Sequence, residues 1–436
     1  MTGARIGAVD MRPLRRPARQ RGVGLLAALM LLGVVATVAL LAFADSAAQE
    51  RSRREQTARA MGTIREALIA RAAADLNRPG SLPCPDYNGD GIADGSLCTS
   101  PYIGWVPWAT LDLPDLRDAS GARFWYALSA GFRDHSAAGT LNSETNGSLS
   151  VVGSPAASNV VAIVFAPGPP LPAQNRDPAS TDAMAMRAQY LDGSNNDGDT
   201  VYAAGAATGT FNDELLPITR DMLMPVVEQR VARQARKCLA NFAAQAGADG
   251  RFPFAAPLTD LTNFADLNIT YYGRIPKTLT ATNAALGTSL GWPADDPDPG
   301  TGTACFAAGT WWDSWRVLLF YRVASAYAPN VSAPPACGAC LTVNYPGGIA
   351  TSVKVVAIVA GRALLSPESP NQNSRPSSNA SMYLETAPSP PSATSNFAGL
   401  TGTPTFGKRP RAVTQGAGNF NDRVECLQET GLAPCN

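Results

Sequence analysis

The second half of this chain restates the first, and that repetition constrains the fold more than any other feature. Phe124-Trp125-Tyr126-Ala127-Leu128, Val160-Val161-Ala162-Ile163-Val164, Tyr190-Leu191-Asp192 and Phe211-Asn212-Asp213 form one series. Leu319-Phe320-Tyr321-Arg322-Val323, Val355-Val356-Ala357-Ile358-Val359, Tyr383-Leu384-Glu385 and Phe420-Asn421-Asp422 follow in the same order. The offset is 195 for the first two motifs (124 to 319, 160 to 355), 193 for the third (190 to 383) and 209 for the last (211 to 420). One apolar pentamer recurs by chance, but four matches in register argue for tandem duplication. Each copy is led by helical periodicity: Met61, Ile64, Leu68 and Ala72 in the first, and Val227, Val231, Ala235, Cys238 and Phe242 in the second, after a cap at Thr219 or Asp221. The Val-rich pentamers have the length and composition of strands buried on both faces.

Upstream of the repeat, no charged residue occurs from Val23 to Ala44, a run long enough to cross a bilayer core as a helix. Before it stand Arg5, Arg12, Arg15, Arg16, Arg19 and Arg21 against a single acid, Asp10. That asymmetry predicts a cytoplasmic N-terminus with the remaining chain outside. The expectation is a single-pass protein of the bacterial inner membrane with its bulk in the periplasm. A second cut after Ala42-Phe43-Ala44 satisfies the small-x-small rule and would release a secreted form.

The basic leader ending in Gly22, followed by the apolar run from Val23, resembles type IV prepilins and type II secretion pseudopilins. The resemblance implies cleavage between Gly22 and Val23 by a prepilin peptidase, methylation of the new N-terminus, and packing of the retained helix in a filament. A start at Met11 would shorten the leader to a length more usual for the family. The residue after the cut is usually Phe, and here it is Val23; the fifth is usually Glu, and here it is Ala27. In the family that Glu is held to neutralise a neighbouring subunit's N-terminal amine, and losing one partner of a buried pair costs about 3–5 kcal/mol. Ala27 therefore points to a minor subunit at a tip or priming position. The implied partners are other pilin or pseudopilin subunits, the peptidase and an inner-membrane assembly platform.

The expected class is α+β: a long N-terminal membrane-spanning helix, then two tandem pilin-like lobes of short antiparallel strands, each led by a helix. The boundaries read as a leader at 1–22, a helix at 23–78 (transmembrane at 23–44), a first lobe at 79–218 and a second at 219–436. Residues 366–416, rich in Ser, Pro, Asn and Thr, read as an exposed, mobile insertion, and 283–303 behave similarly. Lys and Arg number 35 against 35 acids, so the chain lacks the electrostatic footprint of a nucleic-acid binder.

The sharpest local motif is Asp86-Tyr87-Asn88-Gly89-Asp90-Gly91-Ile92-Ala93-Asp94. Side-chain oxygens of Asp86, Asn88, Asp90 and Asp94, with the Ile92 carbonyl, match the first nine positions of a Ca²⁺ loop; Leu97 stands where its bidentate Glu would be. The alternatives are a structural Ca²⁺ or an Asx- and Gly-rich turn binding nothing. Cys84 and Cys98 bracket the loop, and a disulfide there would contribute roughly 3 kcal/mol. The other cysteines are expected to pair as Cys238 with Cys305, Cys337 with Cys340 and Cys426 with Cys435, an even set suited to an oxidising compartment. Asp192 to Asp199 has cation-binding residue types but cramped spacing, and reads first as a turn. The aromatic segment Ile103 to Asp115 reads as core before contact surface, as do Trp311, Trp312 and Trp315. Enzymatic signals fail: Gly287-Thr288-Ser289-Leu290-Gly291 has no buried strand before it, and the one histidine, His135, lies upstream of that Ser. Cys337-Gly338-Ala339-Cys340 runs into a strand-like sequence, whereas a thioredoxin-type site needs a helix N-terminus. A non-enzymatic subunit is the expectation; a disulfide-stapled binding domain, anchored or secreted, is the alternative.

Overall fold

The computed structural model describes residues 21–135, 138–294, 304–332, 337–338, 340–365, 372–386, 395–413, 419–429 and 435, with the side chains of 21–25, 38–47 and 97 left aside. The chain forms two compact units, Met1–Gln56 and Thr57–Asn436. One helix, α1 (Arg21–Ala74), begins in the first and ends in the second.

In the first unit the described apolar residues run from Leu26 to Thr37, about 18 Å of helix at 1.5 Å per residue, against a hydrocarbon core of about 30 Å. Among the described residues no helix is long and apolar enough to cross a membrane. This corrects the expected membrane-spanning helix and the single-pass inner-membrane location drawn from it. The leader at 1–20 lies outside the described residues.

The second unit is α+β and holds two six-stranded sheets. The first contains β1 (Ile103–Trp105), β2 (Trp125–Leu128), β3 (Leu149–Gly153), β4 (Ala157–Ala166), β5 (Val201–Ala204) and β6 (Glu214–Thr219). The second contains β7 (Tyr272–Arg274), β8 (Leu319–Val323), β9 (Leu341–Tyr345), β10 (Gly348–Val359), β11 (Thr405–Gly407) and β12 (Arg423–Gln428). The orders are β1-β2-β4-β3-β5 with β6 on β4, and β7-β8-β10-β9-β11 with β12 on β10. Strand for strand these are one topology, which bears out the duplication. The sheets are mixed rather than antiparallel, because β5 runs parallel to β3 and β11 parallel to β9. A parallel neighbour needs a long crossover. The chain supplies it in each copy, between β4 and β5 and between β10 and β11.

Register shows that the Val-rich motifs are equivalent at an offset of 193, two residues from their closest sequence match. Val160 pairs with Leu149 and Thr219; Val353 pairs with Leu341 and Gln428. The irregularity in each central strand falls at that same place, between Val160 and Ala162 and between Val353 and Val355. Because side chains alternate with period two, a slip of two keeps every residue on its face. The sequence match was therefore blind to it.

The unbroken apolar strands follow from burial on both faces. Along β2, Tyr126 and Leu128 join the core formed with α1 and with α3 (Arg220–Ala243), while Trp125 and Ala127 face a separate cluster with Tyr190 and Tyr202. Met61, Ile64, Leu68 and Ala72 are buried on α1, as are Val227, Val231, Ala235, Cys238 and Phe242 on α3. Each fully buried Val, Leu, Ile or Phe contributes about 1.5–3 kcal/mol. Trp311, Trp312 and Trp315 are all buried as expected.

Residues 366–416 depart from the expected exposed insertion. Positions 366–371, 387–394 and 414–416 lie outside the described residues, but Gln372, Ala380, Tyr383, Leu384, Glu385, Asn396, Leu400 and Phe406 are buried. The expected loop at 283–303 begins in a short helix, Thr280–Leu286; its positions 295–303 lie outside the described residues.

Candidate functional site

The Asp86–Asp94 loop is closed by Cys84–Cys98 and pinned to β1 by the backbone pair between Asp86 and Trp105. Asp86 is buried, and each of its carboxylate oxygens faces inward on the loop's own backbone. Oδ1 accepts from Asn88 N at 3.1 Å and Gly89 N at 2.6 Å, and Oδ2 accepts from Gly91 N at 2.8 Å. Burial raises the Asp86 pKa, and those N–H donors oppose it. Asp94 Oδ2 accepts from Tyr87 N at 2.6 Å, Asp90 Oδ1 from Ile92 N at 2.7 Å, and Asn88 Oδ1 from Asp90 N at 2.9 Å. Gly91 has φ +83°, and a Cβ there would lie 2.3 Å from the Trp108 ring. Among the described residues no group of three or more His, Cys, Asp or Glu is placed to hold a metal ion. The oxygens of the expected ligands Asp86, Asn88, Asp90 and Asp94 accept from the loop's own backbone and stabilise the turn. Beneath the loop, Trp105, Trp108 and Phe124 border a cavity of about 10 Å³, room for one water. Trp105 is buried, as the core reading of the aromatic segment expected.

The remaining disulfides, Cys238–Cys305, Cys337–Cys340 and Cys426–Cys435, form as expected. Cys340 is followed directly by β9, a strand rather than a helix. Gly22 and Val23 lie in the backbone of α1, with their side chains outside the described residues.

What the sequence reading missed is a polar network built twice. Asn212 N donates to Asp192 Oδ2 at 2.8 Å, and Asn421 N to Glu385 Oε1 at 2.6 Å. Asn195 Nδ2 reaches Asp213 Oδ2 at 2.9 Å, and Asn396 Nδ2 reaches Asp422 Oδ2 at 3.0 Å. Asn195 Oδ1 accepts from Ala203 N of β5 at 2.7 Å; Asn396 Oδ1 accepts from Gly407 N of β11 at 2.9 Å. Gln174 Oε1 accepts from Leu171 N, and Gln372 Oε1 from Leu364 N, each at 3.0 Å. Arg176 donates to Gly168 O and lies over the Tyr190 ring; Arg375 donates to Gly361 O and lies over Tyr383. A Cβ on Gly361 would lie 2.4 Å from the Asn421 amide, which is why a glycine stands there.

The acids of this network, Asp192, Asp213, Glu385 and Asp422, are buried, so no solute reaches them. Burial pushes Asp213 up to about 7 against the donors from Asp192 N and Asn195. Burial, and then the Glu385 charge, hold Asp422 well above the carboxylate range. The network ties edge strands β5 and β11 to the segments entering β6 and β12. It also occupies edge N–H and C=O groups that would otherwise template strand addition. Asp192 to Asp199 thus forms a turn, as first read, whose Asp192 and Asn195 serve the core. The missed signal was Gln174-Asn175-Arg176 against Gln372-Asn373-Ser374-Arg375, where one inserted residue breaks the match.

The first unit carries a different feature. Leu26, Leu29, Met30, Leu31, Leu32, Val34 and Val35 of α1 are between 58% and 71% exposed. Successive residues turn by 100°, so Leu29 to Leu32 alone reach most of the way round the helix. No protein-family model, characterised protein or solved structure matches this chain.

Proposed function

We propose that the chain is a non-enzymatic, pilin-like minor subunit that joins other chains of its kind through α1 and presents the two-sheet body as its contact domain. One observation carries the reading: over its described residues 26–37 the N-terminal helix is apolar on every side, with its large side chains exposed. A helix that is hydrophobic all round requires neighbours all round, as in the core of a helical filament. An ordinary docking helix would need only one apolar stripe. The basic leader and Gly22 support prepilin-type processing, and Ala27 supports a minor position over a repeating one. The duplicated body supports the same role, since its buried acids hold strands together and its disulfides lock loops.

The test is the mass and N-terminal sequence of the mature protein isolated from its native source. A chain beginning at N-methylated Val23 supports the proposal. A chain beginning at Asp45, or an uncut leader, refutes it and leaves a disulfide-stapled binding domain.

A further inference from the structure

Four Asn-x-Ser/Thr triplets lie in the described part of the chain: Asn146-Gly147-Ser148, Asn268-Ile269-Thr270, Asn330-Val331-Ser332 and Asn379-Ala380-Ser381. This triplet is the acceptor for N-linked saccharide on surface loops of chains outside the reducing cytosol. Four disulfides suit the body to such a compartment. Triplets also arise by chance, so three-dimensional placement has to choose among them.

Three are poorly placed. Gly147 is pressed against β4, where an added Cβ would lie 2.4 Å from Val160 O. Its neighbours are engaged as well: Asn146 Oδ1 accepts from Arg220, and Ser148 Oγ bonds Ser129 Oγ at 2.9 Å. Ala380 is 1% exposed, and the Ser381 hydroxyl donates to Asn379 Oδ1 at 2.8 Å. Val331 is half-buried, and Asn330 Nδ2, the atom that would take the sugar, donates to Tyr271 OH at 3.4 Å.

Asn268 differs on each count. Its loop is anchored at both ends. Buried Asp266 accepts from Ala281 N and Thr282 N, each at 3.1 Å, and Thr270 O accepts from Ala255 N at 2.7 Å. Between those anchors Leu267, Asn268 and Ile269 project into solvent, Leu267 and Ile269 being 64% and 61% exposed. Among the described residues the Asn268 carboxamide has no hydrogen-bond partner. Thr270 Oγ1 donates to Asn268 O at 3.2 Å, so the hydroxyl and the acceptor amide share one turn. That bond is long and within reach of solvent, and it exchanges readily for one to an enzyme. Leu267 and Ile269, with exposed Tyr272 at the start of β7, give the loop an apolar border that fits the C–H face of a sugar ring.

We propose that Asn268 is a site of N-linked glycosylation, recognised through Thr270. The co-substrate is a saccharide activated at C1 by a diphosphate. The Asn268 Nδ2–C1 bond forms as the C1–O bond breaks, the diphosphate leaves with that electron pair, and the amide gives one proton to a base of the transferase. The site is independent of α1 and of any assembly role.

The experiment is tryptic mapping, by tandem mass spectrometry, of the full chain purified from its native source. Trypsin releases Phe252–Arg274, which contains Asn268 and none of the other three triplets. This peptide should gain the mass of at least one hexose or N-acetylhexosamine residue, localised to Asn268 by electron-transfer fragmentation. In the same host the gain should persist in Thr270→Ser and vanish completely in Thr270→Ala and Asn268→Gln. Three results overturn the proposal: an unmodified wild-type peptide, a saccharide on another triplet with Asn268 bare, or a gain that survives Asn268→Gln. The wild-type map decides the question even if a variant fails to fold. It reads residues 252–274, so its outcome is separate from that of the N-terminal sequence.

Discussion

Replacing Asn195 with Leu removes one buried amide of nearly the same shape and leaves its partners behind. Asn195 is fully buried and makes three bonds: Nδ2 to Ala203 O at 3.1 Å, Nδ2 to Asp213 Oδ2 at 2.9 Å, and Oδ1 from Ala203 N at 2.7 Å. At about 1 kcal/mol net per bond the loss is about 3 kcal/mol. The half-buried Ala203 groups can recover water, which keeps the figure near that value, but Asp213 is nearly inaccessible and keeps only the Asp192 N–H. The loss should therefore depend on pH. Asp213 binds its proton more tightly folded than unfolded, so folding favours the neutral acid between its unfolded value near 4 and about 7. At pH 5 the carboxyl is neutral and tolerates losing a donor. At pH 8 it is charged, and Asn195 is one of the two groups holding that charge. Equilibrium urea unfolding followed by tryptophan fluorescence should show the variant losing about 2 kcal/mol at pH 5 and about 4 kcal/mol at pH 8. Asn396→Leu, the equivalent change in the second copy, should also lower stability, because Asn396 bonds Asp422 and Gly407 as Asn195 bonds Asp213 and Ala203. A loss under about 1 kcal/mol, or one equal at the two pH values, would refute the reasoning.

Three further outcomes are expected. In the wild type, Asp213 and Glu228, both raised to about 7 by burial, and Asp422, held well above the carboxylate range, all favour the folded state when protonated. Stability contributed by the Asp213 and Glu228 protons is present at low pH and lost as pH rises through about 7. Asp221 and Asp260 are lowered, and what they contribute is lost only below about pH 4. The thermal midpoint should accordingly be higher at pH 5 than at pH 8, and the opposite order contradicts the assignment. Cys84→Ser with Cys98→Ser opens a disulfide of sequence separation 14 and should lower stability by about 3 kcal/mol, read by differential scanning calorimetry. Millimolar calcium should leave the thermal midpoint unchanged, because among the described residues no three carboxylates converge on that loop; a saturable rise would place a cation there.

Much of the architecture is legible in the sequence. The two leading helices declare their buried faces at Met61, Ile64, Leu68 and at Val227, Val231, Cys238, since a helix packed on one side must repeat its apolar residues every three or four positions. The duplicated strands, the disulfides Cys84–Cys98, Cys337–Cys340 and Cys426–Cys435 and the core role of Trp311, Trp312 and Trp315 could be read for similar reasons: each is written in nearby residues or in short, repeated motifs. The candidate site was less legible. Asp86 to Asp94 has the residue types of a cation loop, and only three-dimensional placement shows its oxygens turned on their own backbone.

By itself, then, the sequence determined that this chain is α+β, that its body is built twice, and which faces of its helices and strands are buried, because local periodicity encodes burial. Only the tertiary structure decided that the central strands correspond at 193, because a two-residue slip preserves every face. It alone decided that β5 and β11 run parallel to their neighbours, since strand direction depends on where a long crossover lands. And it alone turned a Ser- and Pro-rich stretch into core, through Gln372, Arg375 and Asn396, which bond Leu364, Gly361 and Glu144, and Asp422 outside that stretch's own local pattern.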